Sequence, residues 1–309
     1  MQHGFQLTTL NVKNKNRTIV AKFTTASYFD DKMFATLPIA TFNMAIASWP
    51  PKNPSCNRYG GGVMSALTEY SSPLIYESEY GGYTDDFDIF CGAVTKGEAL
   101  DIACGTGRIT LKLAEIGLKC TGIDTSDLML GLAKEKTKHR GFDITYLNVD
   151  MRNFNLNKKF DLLTMAGNSF QALLTEKDQF SCLSSIASHM HEKSLFIMNT
   201  RNTTDDEMRD VEQFEYWHDF IDDKNQLVKV YGMQVFDPKT NIVKYTTKRS
   251  WQSFDTLTEV ELKFTNLMDL SKILKQSGLE IVETYGDFMK TPFDPVNSKD
   301  IILIYKRTL

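Results

Sequence analysis

Apolar and polar positions follow two regimes along this chain. Between residues 99 and 200, short apolar runs alternate with stretches of helical spacing. The run at 99–102 reads as a buried strand, and Ile109, Leu111, Leu113, Ala114 and Ile116 then place an apolar face on a helix. A second strand is predicted at 119–124, followed by a helix through Ala133 and Glu135. Further strands are predicted at 144–149, 160–165 and 193–200. A helix at 175–191 precedes the last of these, with Leu183, Ile186 and Met190 on one face. From residue 211 the period falls to two. The runs at 214–218, 227–233 and 243–251 alternate apolar with polar side chains, separated by the turns Asp222-Asp223-Lys224-Asn225 and Asp237-Pro238-Lys239-Thr240-Asn241. Helical spacing returns at 267–276 and ends at Gly278; strands at 279–285 and 299–306 close the pattern. This order predicts an α/β fold: a doubly wound, mostly parallel seven-stranded sheet with an antiparallel β insertion after the fifth strand.

The first 63 residues fit neither regime. They carry seven Lys/Arg, only Asp30 and Asp31 as acids, and the helix-breaking stretch Trp49-Pro50-Pro51-Lys52-Asn53-Pro54. Three readings stand side by side: a poorly ordered extension or linker, a basic organelle-targeting segment, or a segment foreign to the natural protein. For the last, Gly60-Gly61-Gly62-Val63 implies G-rich message directly before the codon of Met64, as a ribosome-binding site would give, so the functional chain would start at Met64. The expected organisation is therefore 1–63 as an atypical extension, 64–210 as the α/β core, 211–264 as the insertion and 265–309 as the end of the core sheet.

Composition narrows the function. The net charge is −4, and residues 64–309 hold 28 basic against 37 acidic side chains, so nucleic acid and anionic membranes gain no bulk attraction. The five cysteines are scattered, with neither a CxxC nor a metal-ligand spacing, which argues for a reducing compartment and against a zinc site. No apolar run reaches the roughly 18 residues of a membrane span. A cytoplasmic location without metal is expected.

The chemistry centres on Ala99-Leu100-Asp101-Ile102-Ala103-Cys104-Gly105-Thr106-Gly107-Arg108. A strand, a glycine turn and a helix in this order open a nucleotide-binding domain. A dinucleotide fingerprint needs Gly or Ala three residues after Gly107, where this chain has Thr110, so that cofactor is excluded. Asp124 ends the second strand, where a carboxylate meets ribose hydroxyls.

Asp101-x-Ala103-x-Gly105-x-Gly107 resembles motif I of the class I S-adenosylmethionine-dependent methyltransferases, and the resemblance runs from about Tyr70 to the C-terminus. It is strong in motif I with Asp124 and diffuse elsewhere. Tyr76-Glu77-Ser78-Glu79-Tyr80-Gly81-Gly82-Tyr83 is similar to the N-terminal segment of small-molecule N-methyltransferases, which implies that Tyr76 and Tyr83 close over the methionine end of the cofactor; an aromatic helix packed on the sheet is the competing reading. The resemblance further implies cofactor contacts from Asp101, Ala103, Gly105, Gly107, Arg108, Asp124, Thr125 and Met129. The strand ends at Asp150 and Met151 would meet the adenine, and Ala166 the methyl region. A plain core role for Met129 stays open. Asn168 and Ser169, at the exit of the fourth strand, are candidates for hydrogen bonds to the acceptor or to the cofactor's carboxylate, or for turn formation alone. Asparagine-proline-proline-aromatic would mark a base-amino methylase, and Ala-Gly-Asn-Ser-Phe stands there instead.

Tyr216, Trp217, Arg249 and Trp251 are candidates for the inner face of the insertion, acting as a substrate lid; a dimerisation sheet is the competing reading. His189 and His191 precede the fifth strand, at the wrong edge for chemistry. No catalytic base stands out. The expected activity is methyl transfer to an amine, or to a hydroxyl, of a small molecule or short peptide. The alternatives are an RNA- or tRNA-modifying methyltransferase, or a protein that binds the cofactor without turnover.

Overall fold

The computed structural model describes residues 8–14, 17–23 and 67–308. The chain divides into a unit at 1–62 and a second at 63–309. Of the first, the described part is an antiparallel pair, β1 (Thr8–Asn14) and β2 (Arg17–Phe23). The Trp-Pro-Pro segment and the proposed start at Met64 lie outside the described residues.

In the second unit, β3 (Leu67–Thr68), α1 (Pro73–Tyr80) and α2 (Phe87–Cys91) precede the sheet. The parallel strands are β4 (Glu98–Ile102), β5 (Lys119–Asp124), β6 (Thr145–Asn148), β7 (Phe160–Met165) and β8 (Met190–Arg201). Helices α3 (Arg108–Glu115), α4 (Asp127–Arg140) and α5 (Glu176–Ser188) connect them. The last helix, α6 (Leu267–Gln276), precedes β13 (Leu279–Tyr285) and β14 (Asp300–Arg307). The seven strands run β13-β14-β8-β7-β4-β5-β6, and β14 alone is reversed, antiparallel to both neighbours. The order reverses between β4 and β7, which opens a crevice at their carboxyl ends.

Alternation along the strands divides the core. Leu100, Ile102, Leu163, Met165, Phe196 and Met198 pack beneath α5 and α6 with Leu183, Ile186, Leu270 and Ile273. Ala99, Leu162, Ile197, Ile302 and Ile304 meet Ile109 and Leu113 of α3 and Ile89 and Phe90 of α2. Ser126 caps α4 by accepting the Met129 N–H at 3.3 Å, and Thr175 caps α5 by accepting that of Asp178 at 3.0 Å. The expected helix end at His191 is corrected: α5 stops at Ser188, and β8 begins at Met190, because the His189 carbonyl already accepts the Phe160 N–H in the sheet.

The insertion forms a second sheet of β9 (Val211–Ile221), β10 (Leu227–Asp237), β11 (Ile242–Ser250) and β12 (Asp255–Lys263), in the order β3-β12-β11-β10-β9. Its fifth strand, the two-residue β3, pairs in parallel with β12 and was not anticipated from so short a run.

Candidate functional site

The turn after β4 is built from backbone in the left-handed region. Ala103 has φ 55°, Gly105 53° and Gly107 78°. The two glycines are needed for different reasons. A Cβ on Gly107 would stand 2.6 Å from Tyr146 Oη and 3.2 Å from Ala133 Cβ, so this glycine lets α3 approach the sheet. A Cβ on Gly105 would meet no atom within 4 Å, so this glycine keeps a space open above the turn.

Two carboxylates fix the turn. Asp101 is almost wholly buried and accepts from Thr110 Oγ1 at 2.6 Å and Thr164 Oγ1 at 2.9 Å, tying β4 to α3 and β7. Burial pushes its pKa up to about 6 against the pull of those hydroxyls. Asp124 accepts from the Gly105 N–H at 2.9 Å and the Ser126 N–H at 2.8 Å. Each of its oxygens keeps a further lone pair for a hydroxyl donor. The Val149 N–H donates to the Asp124 carbonyl at 3.0 Å, so Asp150 and Met151 follow directly beside it. Asp150 is held by Arg152, whose guanidinium lowers its pKa. Thr125 is exposed at this edge, whereas Met129 is buried on α4.

Across the crevice, a small cleft of about 50 Å³ is walled by Ala103, Gly105, Ala166 and Ser169 together with Tyr76. It adjoins a larger cleft of about 630 Å³, and Tyr76, Tyr80, Arg108 and Gly167 line both. Arg108 is clamped by Asp86 through two bonds of 2.6 Å and donates to the Tyr83 carbonyl at 2.9 Å. The first turn of α3 thereby holds the aromatic N-terminal segment against the glycine turn. An open space over Gly105, an acceptor pair at Asp124 and a helix N-terminus facing the space fit a nucleoside with an anionic tail.

The larger cleft lies between the β7 and β8 exits and the inner face of the second sheet. Asn168 lines it and accepts from Asn199 Nδ2 at 2.7 Å, while Ser169 turns back to donate to the Ala166 carbonyl at 2.7 Å. Of the four lid candidates, Trp217 alone lines it. Trp217 occupies a β-bulge opposite β10, and its indole covers the spot where Gly232 lacks a side chain. The other three are corrected. Tyr216 points to the opposite face, where it is exposed beside Tyr231. Arg249 is on the inner face but buried in ion pairs with Glu69 and Glu79. Trp251 is buried beyond the end of β11, donating from Nε1 to Asp222 and stacked on Phe254.

Sequence reasoning missed several lining residues. Asn199 and Arg201 end β8 at the same carboxyl edge as Asn168, and that edge was the available signal. Arg201 is held by Gln171 at 3.1 Å and Tyr245 at 3.2 Å, and Glu207 accepts from Tyr245 Oη at 2.6 Å. Tyr245 shares the inner face with Thr247, a register readable from the period of two. Asp300, at the start of β14, had no signal in the local pattern. Burial raises the phenols of Tyr76 and Tyr245, so both are un-ionised near neutral pH. His189 accepts the Leu156 N–H at 2.9 Å and His191 pairs with Asp161, both at the opposite edge.

Residues 99–193 match the family model described as a methyltransferase domain. A glycine/sarcosine N-methyltransferase of Halorhodospira halochloris is 28% identical over 196 residues, covering 62% of this chain and 69% of that protein. A crystal structure of an S-adenosylmethionine-dependent methyltransferase from Clostridium acetobutylicum superposes with a TM-score of 0.63 at 21% identity, covering 76% of this chain and 97% of that one. The sugar N-methyltransferase KedS8 from Streptoalloteichus sp ATCC 53650 superposes with a TM-score of 0.62 at 14% identity, covering 83% and 100%. The fold is the Rossmann-like fold of these solved methyltransferases.

Proposed function

We propose that this S-adenosylmethionine-dependent methyltransferase transfers the methyl group to an amine of a small molecule held in the larger cleft. The observation that carries the reading is the shared wall: Tyr76, Tyr80, Arg108 and Gly167 border both clefts, so ligands in the two meet there. The relatives named for glycine, sarcosine and sugar amines agree with a small amine acceptor.

The cofactor supplies a methyl group already activated by the sulfonium. The chain's task is then to orient the acceptor and exclude water. Asp124 receives the ribose hydroxyls, Gly105 leaves room for the sugar and sulfonium, and Asp150 and Met151 border the adenine with Thr125. Asp101 acts beneath the turn and holds its shape through Thr110 and Thr164. The first turn of α3 favours the cofactor's carboxylate, and Arg108, paired with Asp86, holds the N-terminal segment beside it. Tyr76 and Tyr83 cover the methyl region with Ala166. Asn168, Trp217 and Tyr245 shape the acceptor space.

The residues assigned to these roles all follow Met64, and we assign the activity to residues 64–309; a chain begun at Met64 that lost S-adenosylmethionine binding would overturn that assignment. No helix among the described residues is long and apolar enough to cross a membrane; we assign the enzyme to the cytoplasm on its scattered cysteine pattern. The outer row of the second sheet, with Tyr216 and Leu257 exposed, is the surface we assign to a homodimer; a Leu257→Asp variant with unchanged sedimentation would remove it.

Incubation with methyl-labelled S-adenosylmethionine and a panel of small amines, phenols and RNA tests the activity. Label on an amine nitrogen is expected. Label found only in RNA would sink the reading, and cofactor binding without transfer to any acceptor would favour a non-catalytic protein.

A further inference from the structure

The larger cleft is unbalanced in charge. Arg108 is paired with Asp86 at 2.6 Å, Arg201 with Glu207 at 3.4 Å and Arg209 with Glu215 at 3.7 Å, while Glu69 is held from outside the cleft by Arg249. Each arginine of the lining thus has its acid. Asp206 and Asp300 remain, and no described residue gives either side chain a hydrogen bond or an ion pair. Asp206 is exposed to solvent, whereas Asp300 is half-buried.

The fold explains how a carboxylate comes to stand there. β14 is the reversed strand of the sheet, so its first residue lies at the carboxyl edge of the parallel strands. Asp300 is opposite Arg201 in the β14–β8 register, and Ile302 is opposite Asn199. Asp300 therefore shares a face with Arg201 and with Asn199, whose amide is bonded to Asn168 at the β7 exit. The charged groups around it are Arg201 and Glu207 on the β8 side, Asp287 from the loop after β13, and its neighbour Lys299. Tyr83 of the N-terminal segment lines the same cleft.

We infer that Asp300 anchors the acceptor as an ammonium ion and takes its proton, which makes the substrate an aliphatic amine that is protonated in solution. This rests on the amine reading of the same cleft. An ammonium nitrogen has no lone pair and cannot attack. Transfer of H⁺ breaks one N–H bond, leaves its electron pair on nitrogen and forms an O–H bond on Asp300. That pair then makes the N–CH₃ bond, and the pair of the broken C–S bond stays with sulfur. Asp300 returns its proton to solvent when the methylated ammonium leaves. Desolvation also raises the Asp300 pKa, with Arg201 opposing, which makes it a better proton acceptor than an exposed carboxylate.

The test uses the full chain labelled with ¹³C at the aspartate carboxyls, with the Asp300 resonance assigned by its loss in Asp300→Asn. In buffer its titration midpoint should lie above the ordinary carboxylate range. Excess methylammonium chloride should move that midpoint down, while tetramethylammonium chloride, with the same charge and no N–H, should not. Equal response to both salts, or an ordinary midpoint, would overturn the inference without touching the transfer assay. With an amine acceptor from that assay, Asp300→Asn should lower kcat/KM about 100-fold at neutral pH. The deficit should narrow as pH rises toward the amine's own pKa, a recovery that a merely structural defect would not give. Amine methylation by Asp300→Asn at the wild-type rate and pH dependence would leave the enzyme's function standing and remove this role.

Discussion

Two glycines separated by one residue carry different burdens, and substitution separates them. Gly107→Ala drives a methyl group into Tyr146 and Ala133 on a left-handed backbone, so it should destabilise the fold by about 2 kcal/mol in urea unfolding. Gly105→Ala meets only the backbone cost of about 1 kcal/mol, because its methyl group projects into open space. Its main effect should be weaker S-adenosylmethionine binding; a Gly105→Ala chain that binds normally would show that the ligand does not occupy that space. Asp101 makes a prediction about pH. Its folded pKa of about 6 lies above the ordinary 3.8, so the fold favours the protonated acid, and that stabilisation is lost as pH rises across this window. The advantage of Asp101→Asn over wild type, read from urea midpoints at several pH values, should therefore grow between those limits. A difference independent of pH would mean that the carboxylate is ionised and satisfied throughout.

At the scale of elements, the insertion is fastened to the N-terminal segment by buried charge. Arg249 on β11 meets Glu79 of α1 at 2.6 Å, bonds Glu69 just after β3, and donates to Thr258 on β12 at 3.0 Å. Burial would raise the Glu79 pKa, but its bonds from His218 and Arg249 prevail and lower it. Arg249→Met leaves two buried carboxylates facing one another, which should cost about 3–5 kcal/mol. A loss below 1 kcal/mol in chemical unfolding, roughly the worth of a surface pair, would show that water reaches the site. The same network explains why Arg249 was legible as an inner-face residue and yet not as one that is buried. Period two gives the face of a strand residue, but the segment that covers it is some 170 positions away in sequence. Trp217 is a candidate together with its neighbour Tyr216, which alternation would place on the opposite face, and the bulge that turns Trp217 inward has no local signal.

For the whole molecule, the strands of the main sheet and their succession along the chain could be read because the core alternates regularly and each crossover helix has one apolar face. The glycine turn and Asp124 could be read because a tight turn, and a carboxylate at the end of the next strand that accepts from it, require particular residue types at a fixed distance. The larger cleft could not. Its walls come from β7, β8, β14, the second sheet and the N-terminal segment, and only the closed fold brings Asp300 beside Arg201. In the function proposed above, S-adenosylmethionine lies over the glycine turn with its ribose on Asp124. Calorimetric titration of S-adenosylmethionine into wild type and Asp124→Ala tests this most directly. One site per chain is predicted, with affinity about 100-fold weaker in the variant for the loss of two hydrogen bonds to a charged group. Equal affinity in the two proteins would contradict it.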